Sequence, residues 1–152
     1  MMDHLAILKD KRWLEWILSE KKIIESRWSK FKRPPYGSIT KGDTVYFKIS
    51  GKMVTAKATV AKALFFNKLN HTKTEAILDK YGERIGVTRH WAAELAGKNF
   101  CTLVFLKDAQ RIEPFSIDKK GYGSMTAWIS ITNIAKLIPP RSGMKDAKAE
   151  SA

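Results

Sequence analysis

The chain has 152 residues, 44% of them hydrophobic, with 28 Lys and Arg against 15 Asp and Glu for a formal charge of +13. That length suits one domain with one core, and the cation surplus favours a polyanionic partner, whose binding releases condensed counterions. No apolar run reaches the roughly 18 residues of a transmembrane helix, and the single cysteine, Cys101, rules out disulfides and thiolate zinc sites within the chain.

The N-terminus MMDHLAILKD has no long apolar stretch and no small-residue cleavage site. A cytoplasmic protein with no signal peptide and no membrane association is therefore expected. HLAILK (4–9) predicts a first strand. In DKRWLEWILSEK (10–21), Trp13, Leu14, Ile17 and Leu18 recur at helical spacing behind Asp10 as N-cap. IIESRW (23–28) is β-branched and predicts a strand. SKFKRPPYGS (29–38) is a loop, with two prolines, a glycine and three basic residues among its ten.

Gly42-Asp43 forms a turn ahead of alternating Val45, Phe47 and Ile49. After a tight turn at 50–52, Val54, Ala56, Ala58 and Val60 alternate again, so 40–66 predicts a long hairpin. Residues 72–95 are helical in pattern, with Thr72 or Thr74 as one cap, Thr88 as another and Gly97 as a stop. FCTLVFLKDAQRIEPF (100–115) returns to strand composition. DKKGYGSM (118–125) is a polar loop, and 126–138 holds a further strand with a short helix after it. The expected organisation is one domain over 1–140 and a flexible tail over 141–152. The element order predicts an α+β fold: a small mixed β-barrel with flanking helices.

In a strand, Ile23, Glu25 and Arg27 share one face, and Ile24, Ser26 and Trp28 the other. Glu25 and Arg27 are close enough to pair. Lys22 falls on the opposite parity, at the helix-to-strand junction. This spacing is compatible with a structural ion pair and with a polar cluster in a cleft. Basic residues interleaved with Phe31 and Tyr36 in the 29–38 loop suit a single nucleic-acid strand. Most of the five tryptophans are expected in the core, with Trp28 the one chosen to line a cleft. KKGYGSM lacks the third glycine of a dinucleotide fingerprint. Tyr122 and Ser124 remain candidate cleft residues. His4, His71 and His90 have no metal-ligand spacing, so no metal and no cofactor are expected. Cys101 sits in an apolar run and is expected in the core.

ILSEKKIIESRW, RPPYGSITKGDTVYFK and RIEPFSIDKK together resemble the ASCH-domain family of the PUA-like β-barrel superfamily. The family signature is roughly G-x-K-x-x-E-x-R. Lys22, Glu25 and Arg27 match it, Glu20 stands in place of the glycine, and Gly42-Asp43 matches the pair entering the next strand. The resemblance implies a PUA-like barrel that binds RNA or a modified nucleotide in a basic cleft. Lys22, Glu25, Arg27 and Trp28 would form the site, Lys32 and Arg33 would extend it, and Tyr122 and Ser124 would flank it. Some relatives are enzymes. One group hydrolyses an acetyl amide on cytidine with a threonine where this chain has Glu25; in another, proposed to cut RNA, the signature lysine is implicated. A hydrolase acting through Lys22 and Glu25 is therefore one alternative. A protein-interaction module with a structural signature is another.

Overall fold

Alternation over 44–66 builds the centre of the molecule. In the computed structural model, which describes residues 1–119 and 121–140, the strands run as follows: β1 Asp3–Leu8, β2 Ile24–Ser29, β3 Thr44–Ile49, β4 Val54–Phe66, β5 Phe100–Phe115 and β6 Trp128–Ile131. The helices are α1 Lys11–Leu18 and α2 His71–Ile85, with 3-10 segments at Arg89–Leu95 and Ile134–Leu137. The expected tail at 141–152 lies outside the described residues.

The six strands form one mixed sheet in the order β2-β5-β4-β3-β1-β6, curled into a half-barrel. β1 and β3 are parallel; the other neighbouring pairs are antiparallel. The α+β half-barrel with flanking helices is therefore the architecture of the chain.

Each face is apolar for a local reason. α1 places Leu14 and Ile17 against Ala6, Val45, Phe47, Val60 and Leu106. Full burial of side chains of this size stabilises by about 1.5–3 kcal/mol each. α2 packs Ile77, Tyr81 and Ile85 against Ile24, Cys101, Leu103 and Phe105. Burial raises the Cys101 thiol well above its ordinary pKa, which keeps it protonated and inert. Among the described residues, no helix is long and apolar enough to cross a membrane.

One cap differs from expectation. Asp10 caps α1 as predicted, accepting from the Arg12 amide at 2.8 Å. The cap of α2 is Asn70, which accepts from the Lys73 amide at 2.8 Å, rather than Thr72 or Thr74. Thr74 lies inside the helix, its amide bonded to the Asn70 carbonyl. Thr88 is the N-cap residue of the Arg89–Leu95 segment, as expected, though its side chain makes no capping bond.

Glu20 has a φ of 64°, in the left-handed region that favours glycine. The turn that ends α1 therefore takes a backbone conformation that favours glycine while carrying a glutamate. Glu20→Gly is expected to raise stability by about 0.5–1 kcal/mol, read from the urea midpoint. An unchanged or lowered midpoint contradicts the strain argument.

His4 has no metal-ligand spacing to the other histidines in the sequence. It is fully buried on β1, 2.9 Å from the equally buried Asp43 carboxylate. Asp43 also accepts from the Met2 and Thr40 amides. It thereby ties the entry of β3 to the start of the parallel β1.

Candidate functional site

The Lys22, Glu25 and Arg27 side chains converge. α1 ends at a left-handed turn, and the chain passes straight into β2 beside the C-terminus of α2. Lys22 Nζ donates to the Ile24 carbonyl at 2.9 Å and to the Ile85 carbonyl at 2.6 Å. It also lies 3.2 Å from Glu25 Oε1. An ammonium has three N–H groups, and all three are occupied. Ile85 is the last residue of α2, so this cation also sits at the negative end of a helix dipole.

Glu25 Oε2 accepts from Arg27 Nη2 at 2.8 Å and from Arg27 Nε at 3.2 Å. Arg27 reaches onward from β2 across the open side of the half-barrel, donating to the Ala127 carbonyl at 3.1 Å and the Ile7 carbonyl at 3.3 Å. Four of its five N–H groups are thereby engaged. Its guanidinium also stacks over Trp128, 5.1 Å from the ring centre.

Burial raises the Glu25 carboxyl, but the charges of Lys22 and Arg27 outweigh this and hold it below the ordinary carboxylate range. Burial pulls the Lys22 ammonium down, against the opposing pull of Glu25. A general base needs the reverse for Glu25, a raised pKa and a free oxygen. The geometry makes the trio a buried brace joining α1, β2 and α2.

Two adjoining clefts open on this brace. The first, of about 610 Å³, lies between β2, the 29–35 segment and the loop before β6. Arg27, Lys30, Arg33 and Lys98 line it, together with Trp28, Phe31 and Tyr122, and among the described residues no carboxylate does. The second, of about 570 Å³, is walled by Trp13, Trp91, Lys98 and Lys119, and Lys22 and Glu25 also line it. Arg27, Trp28 and Lys98 belong to both. Lys119 Nζ holds the loop by donating to the Ser124 and Thr126 carbonyls at 3.0 and 2.7 Å. Trp28 packs edge-on to Trp91, 6.3 Å apart, and its Nε1–H is buried without an acceptor.

The predicted residues thus divide. Arg27, Trp28, Arg33 and Tyr122 line the first cleft; Lys22, Glu25 and Ser124 line the second. Lys32 lines neither, and its Nζ lies 5.8 Å from the Tyr36 ring centre. Sequence reasoning missed Lys98, which follows the Gly97 stop and enters the cleft because the next residue, Asn99, donates to the Ser29 and Lys30 carbonyls where β5 begins to pair with β2. It also missed Trp91 and Lys119. No local pattern marks any of the three.

Among solved structures, the chain is similar to ASCH from Zymomonas mobilis, with a TM-score of 0.63 at 15% identity, over 97% of this chain and 94% of that one. A tyrosine-to-phenylalanine variant of that protein gives a TM-score of 0.64 at 15% identity over 97% and 96% of the two chains. A serine-to-alanine variant gives 0.61 at 15% over 98% and 95%. These matches show that the chain has an ASCH-like fold. No family model matches it, and no curated protein matches it in sequence.

Proposed function

We propose that the protein binds single-stranded RNA or a nucleotide in the first cleft. The observation that carries this reading is the lining itself: among the described residues, four cations, exposed aromatics and no carboxylate. Cations beside aromatics suit phosphates beside stacked bases, and a volume of this order suits a nucleotide. Phe31 is 62% exposed and Tyr122 44%, so both are open to stacking. Arg33, Lys30 and Lys98 meet phosphates. Arg27, with one N–H left, contributes a single bond to a phosphate or base edge rather than a two-pronged grip. Lys22 and Glu25 hold the floor and take no part in chemistry. A cytoplasmic location accords with this role.

Titration of a labelled single-stranded RNA over a series of salt concentrations tests the proposal. Each phosphate contact adds a slope of about −0.7 in log K against log salt, so three contacts give a slope near −2. A flat response removes the proposal.

A further inference from the structure

A second constellation lies along the first cleft, outside the Lys22–Glu25–Arg27 brace. His4 on β1 and Ser130 on β6 are direct cross-strand partners, so their side chains share one face of the sheet. His4 Nδ1 lies 2.8 Å from Ser130 Oγ, and His4 Nε2 lies 2.9 Å from Asp43 Oδ2. His4 and Asp43 are buried, while Ser130 is half-buried and lines the cleft.

The neighbours fix the proton positions. An ionised Asp43 can only accept, so Nε2 carries the imidazole hydrogen. An indole N–H can only donate, and Trp128 Nε1 donates to Nδ1 at 3.2 Å. Nδ1 is therefore a bare acceptor, and the Ser130 hydroxyl donates to it by the shorter of the two contacts. Ser38 Oγ, 3.2 Å from Ser130 Oγ, supplies a further hydrogen bond from the loop side. Burial keeps His4 below its ordinary pKa against the opposing pull of Asp43, so the imidazole is the neutral, proton-accepting form at pH 7.

We infer that Asp43, His4 and Ser130 form a nucleophilic relay, and that Ser130 attacks a carboxylic ester carried by a phosphate-bearing molecule in this cleft. The Ser130 proton passes to His4 Nδ1 as Oγ bonds to the acyl carbon. The ester C–O bond then breaks, and the departing alkoxide takes the proton from His4. Water attacks the acyl group on Ser130, giving its proton to His4. The C–Oγ bond breaks, Ser130 recovers that proton, and the carboxylic acid leaves. Asp43 is a positioning residue that holds the tautomer. The preference for a phosphate-bearing ester rests on the nucleotide-binding reading; the nucleophilicity of Ser130 does not.

A neutral fluorophosphonate probe applied to the full chain tests the relay apart from nucleic-acid binding. One adduct is expected, mapped by mass spectrometry to Ser130 and absent in Ser130→Ala. In His4→Gln, which keeps hydrogen-bonding atoms but accepts no proton, labelling is expected to slow by about a hundred-fold. Should that variant fail to fold by circular dichroism, Ser130→Cys decides. Its thiol should react with iodoacetamide at pH 7 about ten-fold faster than that of Ser124→Cys on the exposed loop. No adduct at Ser130, an adduct whose rate ignores His4→Gln in a folded protein, or equal alkylation of the two thiols overturns the inference.

Discussion

Glu25→Gln is expected to lower the unfolding free energy by about 3–5 kcal/mol, the loss seen when one partner of a buried ion pair is removed. The Glu25 side chain is 7% exposed, Lys22 3% and Arg27 19%. Both cations would then face each other in a poorly solvated brace with no anion between them. For a domain of this length the melting temperature falls by about 2–4 °C per kcal/mol, hence by roughly 10 °C. RNA affinity of the folded fraction should stay within about three-fold, since the variant leaves the cleft cations in place. A melting temperature within a degree or two of the wild type contradicts the brace.

The same carboxylate sets an acid limb. Its folded pKa lies below the ordinary glutamate value of about 4.5, so the unfolded chain binds the proton first as pH falls. The stability it contributes is complete above about 4.5 and is lost as pH falls through the lower folded value. His4, also shifted down, from 6.5, adds a second loss that begins near that pH. Glu25→Gln should therefore flatten the lower limb and leave the upper one.

The paired charge reversal Arg33→Glu with Lys98→Glu is expected to weaken single-stranded RNA binding by at least about a hundred-fold at moderate salt. Charge-assisted bonds contribute about 1.5–3 kcal/mol each, and two lost bonds exceed the roughly 2.7 kcal/mol of that ratio. The salt slope should fall by about 1.4, two phosphate contacts' worth. Lys32→Glu serves as the comparison, because Lys32 is basic and nearby but lines neither cleft. If it weakens binding as much as the pair, the effect comes from net charge and the assigned cleft is wrong.

These effects were unequally legible in the sequence. The β3–β4 hairpin could be read because alternation is a local signal, and α1 because Asp10 precedes an apolar stripe. The Glu25–Arg27 pair followed from strand parity. Lys22 did not, because its position depends on a left-handed turn at Glu20 and on a carbonyl of α2, 63 residues away. The parallel pairing of β1 with β3 left no local mark either. Consequently the His4–Asp43 contact, spanning 39 residues, was invisible, and His4 looked idle. Lys98 reaches its cleft through the pairing of β5 with β2, and Trp91 its own through packing on Trp28, and neither contact is local in sequence.

The two margins of the sheet meet through a guanidinium and not through main-chain pairing. A strand ladder slips only in units of two residues, since a slip of one turns every side chain to the wrong face. A link made by one long, flexible side chain has no such quantum. The mouth between β2 and the β1–β6 margin can widen or narrow by fractions of an ångström while the Glu25 end of Arg27 stays anchored. If the cleft takes the nucleotide proposed for it, guests of different girth would be accommodated there without any strand changing its neighbour.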